Sequence, residues 1–320
     1  VSVAREAPKV VVFVTTETTT LDAVLGRLGA DARCVSEGRV FVGKNRASRG
    51  DVPLGAGVTV RLTREAPRSG LDVVVLHRSE HLVVVDKPAG IPTIADGRAR
   101  AGSLLSEAAR AVGLPEGRLH PTSRLDRDVS GVVTFALTPL AREELARARE
   151  EGAYDRRYVA LAARAPSPKE GTCDAPLGPG RDPRHRRVDP KGEPSRSKYA
   201  VIAEAPSGTG GAHAALLALG PETGRTHQLR VHTSHMGAPL LGDPTYGGPS
   251  RLALANGKIL GFSRVMLHCA KVRFVVGGEA LELESPVPEA LLSTWAALGG
   301  SDAAWAEALA WTVFSTGARP

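Results

Sequence analysis

The sequence predicts an α+β fold: a larger domain on a mixed or antiparallel sheet, preceded by a small α+β domain. Two observations carry this. β-rich apolar runs are interspersed with helical stretches but lack the regular β-α-β alternation of a parallel sheet. The texture also changes at Leu71, after a polar stretch from Arg64 to Gly70 that reads as a linker. A chain of 320 residues has room for two domains. The division expected is 1–68, 71–288 and a helical C-terminal tail over 289–320.

In the first domain, Val10 to Val14 reads as a strand. Leu21, Val24, Leu25 and Leu28 follow the i, i+3, i+4, i+7 spacing of a short helix, with Gly29 as its stop. Glu37 to Asn45 reads as a strand running into a turn. Asp51 to Gly57 is turn-rich, and Val58 to Leu62 alternates as a strand should.

In the second domain, Asp72 to Leu76 and Leu82 to Val85 form a hairpin around His77 to His81. Leu104 to Val112 is a helix with Ser103 as N-cap and Gly113 as stop. Val132 to Leu137 is a strand. Thr138-Pro139 opens a helix that runs to Gly152. Arg157 to Ala163, Lys198 to Ala203 and Ala214 to Leu219 are strands, and Thr226 to Met236 is a helix ended by Gly237. Lys271 to Val276 and Ala280 to Glu284 make a second hairpin around Gly277-Gly278. In the tail, Trp295, Trp305 and Trp311 have helical neighbours and read as core rather than as a stacking platform.

Composition narrows the function. Apolar runs such as Val10 to Val14 are far short of the ~20 residues of a spanning helix, so no membrane is expected. Cys34, Cys173 and Cys269 are scattered without a C-x-x-C, which predicts a reducing cytoplasm and no disulfide framework. No secretory signal is visible. The net charge is +7 and unevenly placed. Residues 33–68 hold eight basic groups against three acidic ones, and residues 181–198 hold seven against three. Such concentration is what contacts to phosphate require. His227, His232 and His235 show no obvious fourth ligand, so no metal is expected. Gly208 to Gly211 lacks phosphate-loop spacing and reads as a loop.

The chemistry centres on Ser123-Arg124-Leu125-Asp126-Arg127-Asp128-Val129-Ser130-Gly131. A carboxylate stands between two arginines in a loop before an apolar strand. Cationic neighbours favour the charged form that a nucleophile or base requires. Further on stand Gly224-Arg225-Thr226-His227-Gln228-Leu229-Arg230-Val231-His232 and Leu240-Leu241-Gly242-Asp243-Pro244-x-Tyr246-Gly247. Asp86-Lys87-Pro88-Ala89-Gly90, Arg157-Tyr158-Val159-Ala160-Leu161 and Leu267-His268-Cys269-Ala270 complete an ordered set.

This set, over about residues 71–288, resembles the RluA-type pseudouridine synthases. The first domain resembles the small S-four-like RNA-binding domain through Leu21-Asp22-x-x-Leu25, Gly38-Arg39-Val40 and Gly57-Val58-x-Val60. The resemblance implies a pseudouridine-synthase-like catalytic domain that isomerises uridine in RNA without a cofactor. The glycosidic bond breaks, the uracil rotates, and it rejoins through a ring carbon. Glycoside hydrolases need two carboxylates because a sugar leaving group must be protonated. Uracil leaves as a stabilised anion, so one can suffice. Asp126 would be that carboxylate, acting on the ribose, on the base or on a ribose proton. Arg225 would pair with it, and Tyr158 would stack on the flipped base and help with the final proton.

RNA contacts are expected from Arg124, Arg127, Gln228, Arg230 and His232, and from Arg39, Lys44, Arg186 and Arg187 in the basic stretches. The expected partner is ribosomal RNA, or transfer RNA, bound by a monomer. One departure stands out: the family's His before Arg-Leu-Asp is Ser123 here, with His120 three residues earlier. It leaves open an alternative, an RNA-binding or ribosome-assembly module with little catalysis.

Overall fold

The computed structural model of the chain describes residues 10–31, 33–36, 39–43, 45–47, 49–63, 73–95, 102–182, 184–206, 213–254 and 256–312. Lys44, Glu37-Gly38, the stretch Arg64 to Gly70 and Gly208 to Gly211 lie outside the described residues. The chain divides into two compact units, 1–71 and 72–320.

In the first unit, β1 (Val10–Val14), β2 (Val40–Val42), β3 (Asn45–Arg46) and β4 (Thr59–Thr63) form an antiparallel sheet in the order β1-β4-β2-β3. Helix α1 (Leu21–Arg27) is capped by the Thr20 hydroxyl, which accepts from the Ala23 N–H (3.4 Å). Its spaced apolar residues Leu21, Val24 and Leu25 are fully buried with Val40, Leu54 and Val60. The apolar stripe therefore does what its period promised.

The second unit is built on one large mixed sheet. Its strands are β5 (Val74–Arg78), β6 (Leu82–Lys87), β7 (Ser130–Ala136), β8 (Asp155–Ala162), β9 (Glu170–Cys173), β10 (Ser197–Pro206), β11 (His213–Pro221), β12 (Leu267–Val276) and β13 (Glu279–Glu284). The order is β9-β10-β11-β8-β12-β7-β6-β5, with β13 beside β12 and the short strand His120–Pro121 beside β7. The pairing of β7 with β12 is parallel, Ser130 opposite His268 and Gly131 opposite Cys269. The other described pairings in this sheet are antiparallel.

Gly131 makes that parallel joint possible. It sits at φ 118°, and a Cβ there would lie 2.1 Å from the Cys269 carbonyl oxygen. Its neighbour Ser130 donates to His268 Nδ1 (2.8 Å) and accepts from Arg264 (2.7 Å). The other ring nitrogen, Nε2, donates to the Ser285 carbonyl (3.2 Å). Burial pushes His268 down to about 4, so the neutral ring this geometry demands is the one present.

Helices α2 (Leu104–Val112), α3 (Pro139–Glu150), α4 (Gln228–His235), α5 (Glu289–Ala297) and α6 (Ala303–Ala310) complete the unit. Ser103 caps α2 in a capping box and Gly113 ends it in the left-handed region. Thr138 caps α3 with Pro139 in the first turn. α4 begins two residues later than its pattern suggests, because His227 takes a left-handed conformation (φ 57°) before it. α5 and α6 bury Trp295 and Trp305 in one core with Val159, Leu161 and Leu216 of the sheet.

Candidate active site

A cleft of about 450 Å³ opens over the β7–β12–β8 region. Among the described residues Asp126 is its one lining carboxylate; Arg124, Arg156, Tyr158, Arg225, His227 and Arg230 line it too. Asp126 sits in the loop that leads into β7. That loop is clamped from beneath. Lys87 is fully buried, and its ammonium donates to the carbonyls of Pro88 (3.0 Å), Arg127 (2.9 Å) and Val129 (2.6 Å). Thr93 donates to the Leu125 carbonyl (2.9 Å) and accepts from the Leu125 N–H (3.1 Å). The Gly90 N–H meets the Arg127 carbonyl (2.8 Å). Burial and nearby Arg264 push Lys87 down to about 7, against the pull of Asp126 and Asp128.

The partner of Asp126 corrects the sequence reading. Arg225 turns away to Glu193 and to the Pro194 carbonyl (3.2 Å). Arg230 takes the place assigned to it, donating from Nη1 to Asp126 Oδ2 (3.1 Å). Its Nε and Nη2 grip Asp243 in a bidentate pair, both at 2.7 Å. Burial alone would lower the Arg230 pKa, but its bonds to Asp243, and the charge of Asp243 and Asp126, hold it above its ordinary value. The guanidinium also lies over the Tyr246 ring, 4.9 Å from the centroid. Arg230, predicted to contact RNA, is therefore engaged by Asp126 and Asp243. The reason was not local: Asp243 is thirteen residues away and completely buried.

His227 also belongs to the site. It faces Asp126, its Nε2 lying 3.8 Å from Oδ2. The Arg186 N–H donates to Tyr246 Oη (3.0 Å), and the Tyr246 hydroxyl donates in turn to His227 Nδ1 (2.6 Å). This leaves the Nε2 proton aimed at the carboxylate. Burial lowers the His227 pKa below its ordinary value, partly opposed by Asp126, so the ring is neutral at neutral pH.

Tyr158 lies on β8, nearly buried, and burial raises its hydroxyl well above 10. A general base works best near the operating pH. Tyr158 therefore presents a protonated hydroxyl and a ring face, which suits stacking better than proton removal.

Two predicted RNA contacts are internal braces instead. The buried Gln228 amide donates to the Arg196 carbonyl and Ser197 Oγ (both 2.9 Å). It accepts from Thr223 Oγ1 (2.7 Å) and the Arg225 N–H (3.0 Å), which uses all its valences. His232 is buried, donating from Nε2 to the Ala175 carbonyl (3.0 Å) and accepting from Ser197 Oγ at Nδ1 (2.9 Å).

Arg124 is exposed at the cleft. Arg127 is half-buried in the loop that carries Asp126, and Arg39 is half-buried in the first unit. Arg186 reaches the His185 carbonyl (2.9 Å), and Arg187 pairs with Asp189 (2.8 Å). The basic stretches are in part self-paired: Arg184 with Asp182, Lys198 with Glu222 (3.0 Å), Arg33 with Asp31 (2.9 Å), Arg49 with Asp51. Ser123 accepts from the Thr134 N–H (3.2 Å), and His120 pairs with Ala136 at the other end of β7.

Among the described residues no group of three or more His, Cys, Asp or Glu is arranged to hold a metal ion, and no helix is long and apolar enough to cross a membrane.

Comparison with known proteins agrees with this geometry. The family model described as RNA pseudouridylate synthase matches residues 81–235. The dual-specificity RNA pseudouridine synthase RluA of Salmonella typhi is 38% identical over 188 residues, 57% of this chain and 81% of that one. Ribosomal large subunit pseudouridine synthase C of Vibrio vulnificus is 31% identical over 277 residues, 81% of this chain and 84% of that one. The solved structure of human RNA pseudouridylate synthase domain containing 4 has a TM-score of 0.56 at 25% identity, covering 71% of this chain and 93% of that one. With the cleft, its single carboxylate and the ordered signatures all in place, the chain belongs to the RNA pseudouridylate synthase family, in its RluA-type branch.

Proposed function

We propose that this protein isomerises specific uridines of ribosomal RNA to pseudouridine, with Asp126 as the catalytic carboxylate. The observation that carries the assignment is the cleft itself, where Asp126 is the one lining carboxylate among the described residues and is oriented by Arg230. The large-subunit relative supports ribosomal RNA as the substrate; transfer RNA is the alternative. A uridine inside folded RNA must leave its stack to reach Asp126, at a cost of a few kcal/mol. Arg124 stands exposed at the cleft to hold the distorted backbone, and the Tyr158 ring receives the extruded base. The guanidinium of Arg230, itself fixed by Asp243, orients the carboxylate before substrate arrives, so little reorganisation is needed during reaction. The RNA-binding module without catalysis loses its support: Ser123 is engaged with the Thr134 N–H, and it does not line the cleft.

The test is to map pseudouridines in ribosomal and transfer RNA from cells with and without the protein. One or a few sites should vanish in the deletion, return with the wild-type chain and stay absent with Asp126→Asn. If every pseudouridine persists in the deletion, the reading is wrong.

A further inference from the structure

The cleft arginines are not equivalent. Arg230 is neutralised by Asp126 and Asp243, and Arg225 by Glu193. Arg156 has no carboxylate partner among the described residues. Its Nη2 donates to the main-chain carbonyls of Pro221 (3.3 Å) and Thr223 (2.9 Å). Its Nε is buried with no hydrogen-bond partner. A guanidinium is always charged, and main-chain carbonyls satisfy donors without cancelling that charge. It is thus held rigidly, partly desolvated, and short of an anion.

Gly224 supplies an independent observation. Its φ is outside the left-handed region, so conformational need does not explain the glycine. A Cβ there would lie 3.5 Å from Arg156 Nη1 and 3.8 Å from Nη2, capping that edge of the guanidinium. Both residues line the cleft. With no side chain at Gly224, nothing from that position covers Nη1.

We propose that Arg156 is the seat for a phosphodiester group of the target nucleotide, with Gly224 keeping its Nη1 edge open. This rests on the RNA isomerase reading above. Arg156 and Tyr158 are two residues apart on β8, on either side of a register shift after Arg157, and both line the cleft. A base stacked on Tyr158 would place the sugar between the two, and its phosphate at Arg156. A neutral uracil carbonyl would add one more uncharged acceptor to the two already present. A phosphate supplies the missing charge and matches the planar fork.

The test counts charges. Binding of a transcript carrying the mapped uridine is measured against KCl concentration, in an Asp126→Asn background that prevents turnover. Removing one phosphate contact should lower the slope of log K against log salt by about 0.7–0.9. Arg156→Gln should show that loss, so its binding deficit shrinks about threefold between 50 and 200 mM salt. Arg156→Lys, which keeps the charge, should retain the slope. An unchanged slope in Arg156→Gln overturns the proposal, as does an equal loss in both variants, which would point to the carbonyl bonds alone. Turnover by the wild-type chain is followed in parallel. If the wild type makes pseudouridine while Arg156→Gln keeps its slope, the phosphate seat falls and the enzyme reading stands.

Discussion

Arg225 and Arg230 lie five residues apart in one signature, yet only Arg230 touches Asp126. The difference is set by Asp243, which grips two nitrogens of Arg230 and leaves the third aimed at the carboxylate. A lysine cannot make that bidentate grip. Arg230→Lys should therefore lower kcat on the order of 100-fold with little change in KM, because a small misplacement of a catalytic group is that costly. Arg225→Gln, which breaks an exposed ion pair, should leave kcat within about threefold. Steady-state kinetics on the mapped RNA would separate the two. Equal losses would return Arg225 to the role its position suggested.

At the scale of elements, the parallel joint between β7 and β12 places the loop that carries Asp126. Gly131 allows the approach, and the Arg264–Ser130–His268–Ser285 chain locks it. His268 is held near 4 by burial, against about 6.5 in an unfolded chain. Between those values the unfolded state binds more protons, so stability must fall as pH drops from 6.5 towards 4. The loss attributable to His268 should reach about 2 kcal/mol by pH 5. Urea unfolding at pH 7 and pH 5 should show that His268→Gln is less stable at pH 7 but loses less on acidification. A wild-type chain and variant with the same pH response would show that this histidine is not the sensitive group.

At the scale of the whole chain, there are two compact units. The C-terminal helices belong to the core of the second unit: Trp295 is fully buried there, and its indole N–H donates to the Ser301 carbonyl (3.0 Å). Trp295→Ala should cost about 3–5 kcal/mol, read as a lower urea midpoint and lost near-ultraviolet dichroism. The first unit keeps Arg61 exposed on its sheet, over the Phe41 ring, with Arg39 nearby on the path into β2. If this unit serves binding, Arg39→Gln with Arg61→Gln should weaken RNA affinity and flatten its salt dependence. Turnover at saturating RNA should then remain within about twofold. A large fall in kcat would give the first unit a part in the chemistry.

Local physics determined most of the fold. Helix caps at Ser103 and Thr138, the apolar stripe of α1 and the paired hairpins follow from spacing and turn residues within a few positions of each other, whereas the parallel joint that makes the sheet mixed pairs Ser130 with His268 across the chain. The ordered signatures likewise brought Asp126 and Tyr158 to one cleft. Only the tertiary structure decided who contacts whom inside it. Arg230 stands at Asp126 where Arg225 is expected, Gln228 and His232 are braces, and Lys87 clamps the loop that carries Asp126. His227 and Arg156 came to face the cleft. A charged or polar side chain near a turn can reach many partners, and its choice depends on which distant acceptor is buried beside it. Asp243, Ser197 and the Val129 carbonyl are such acceptors, separated in sequence and joined only by the packing of the sheet.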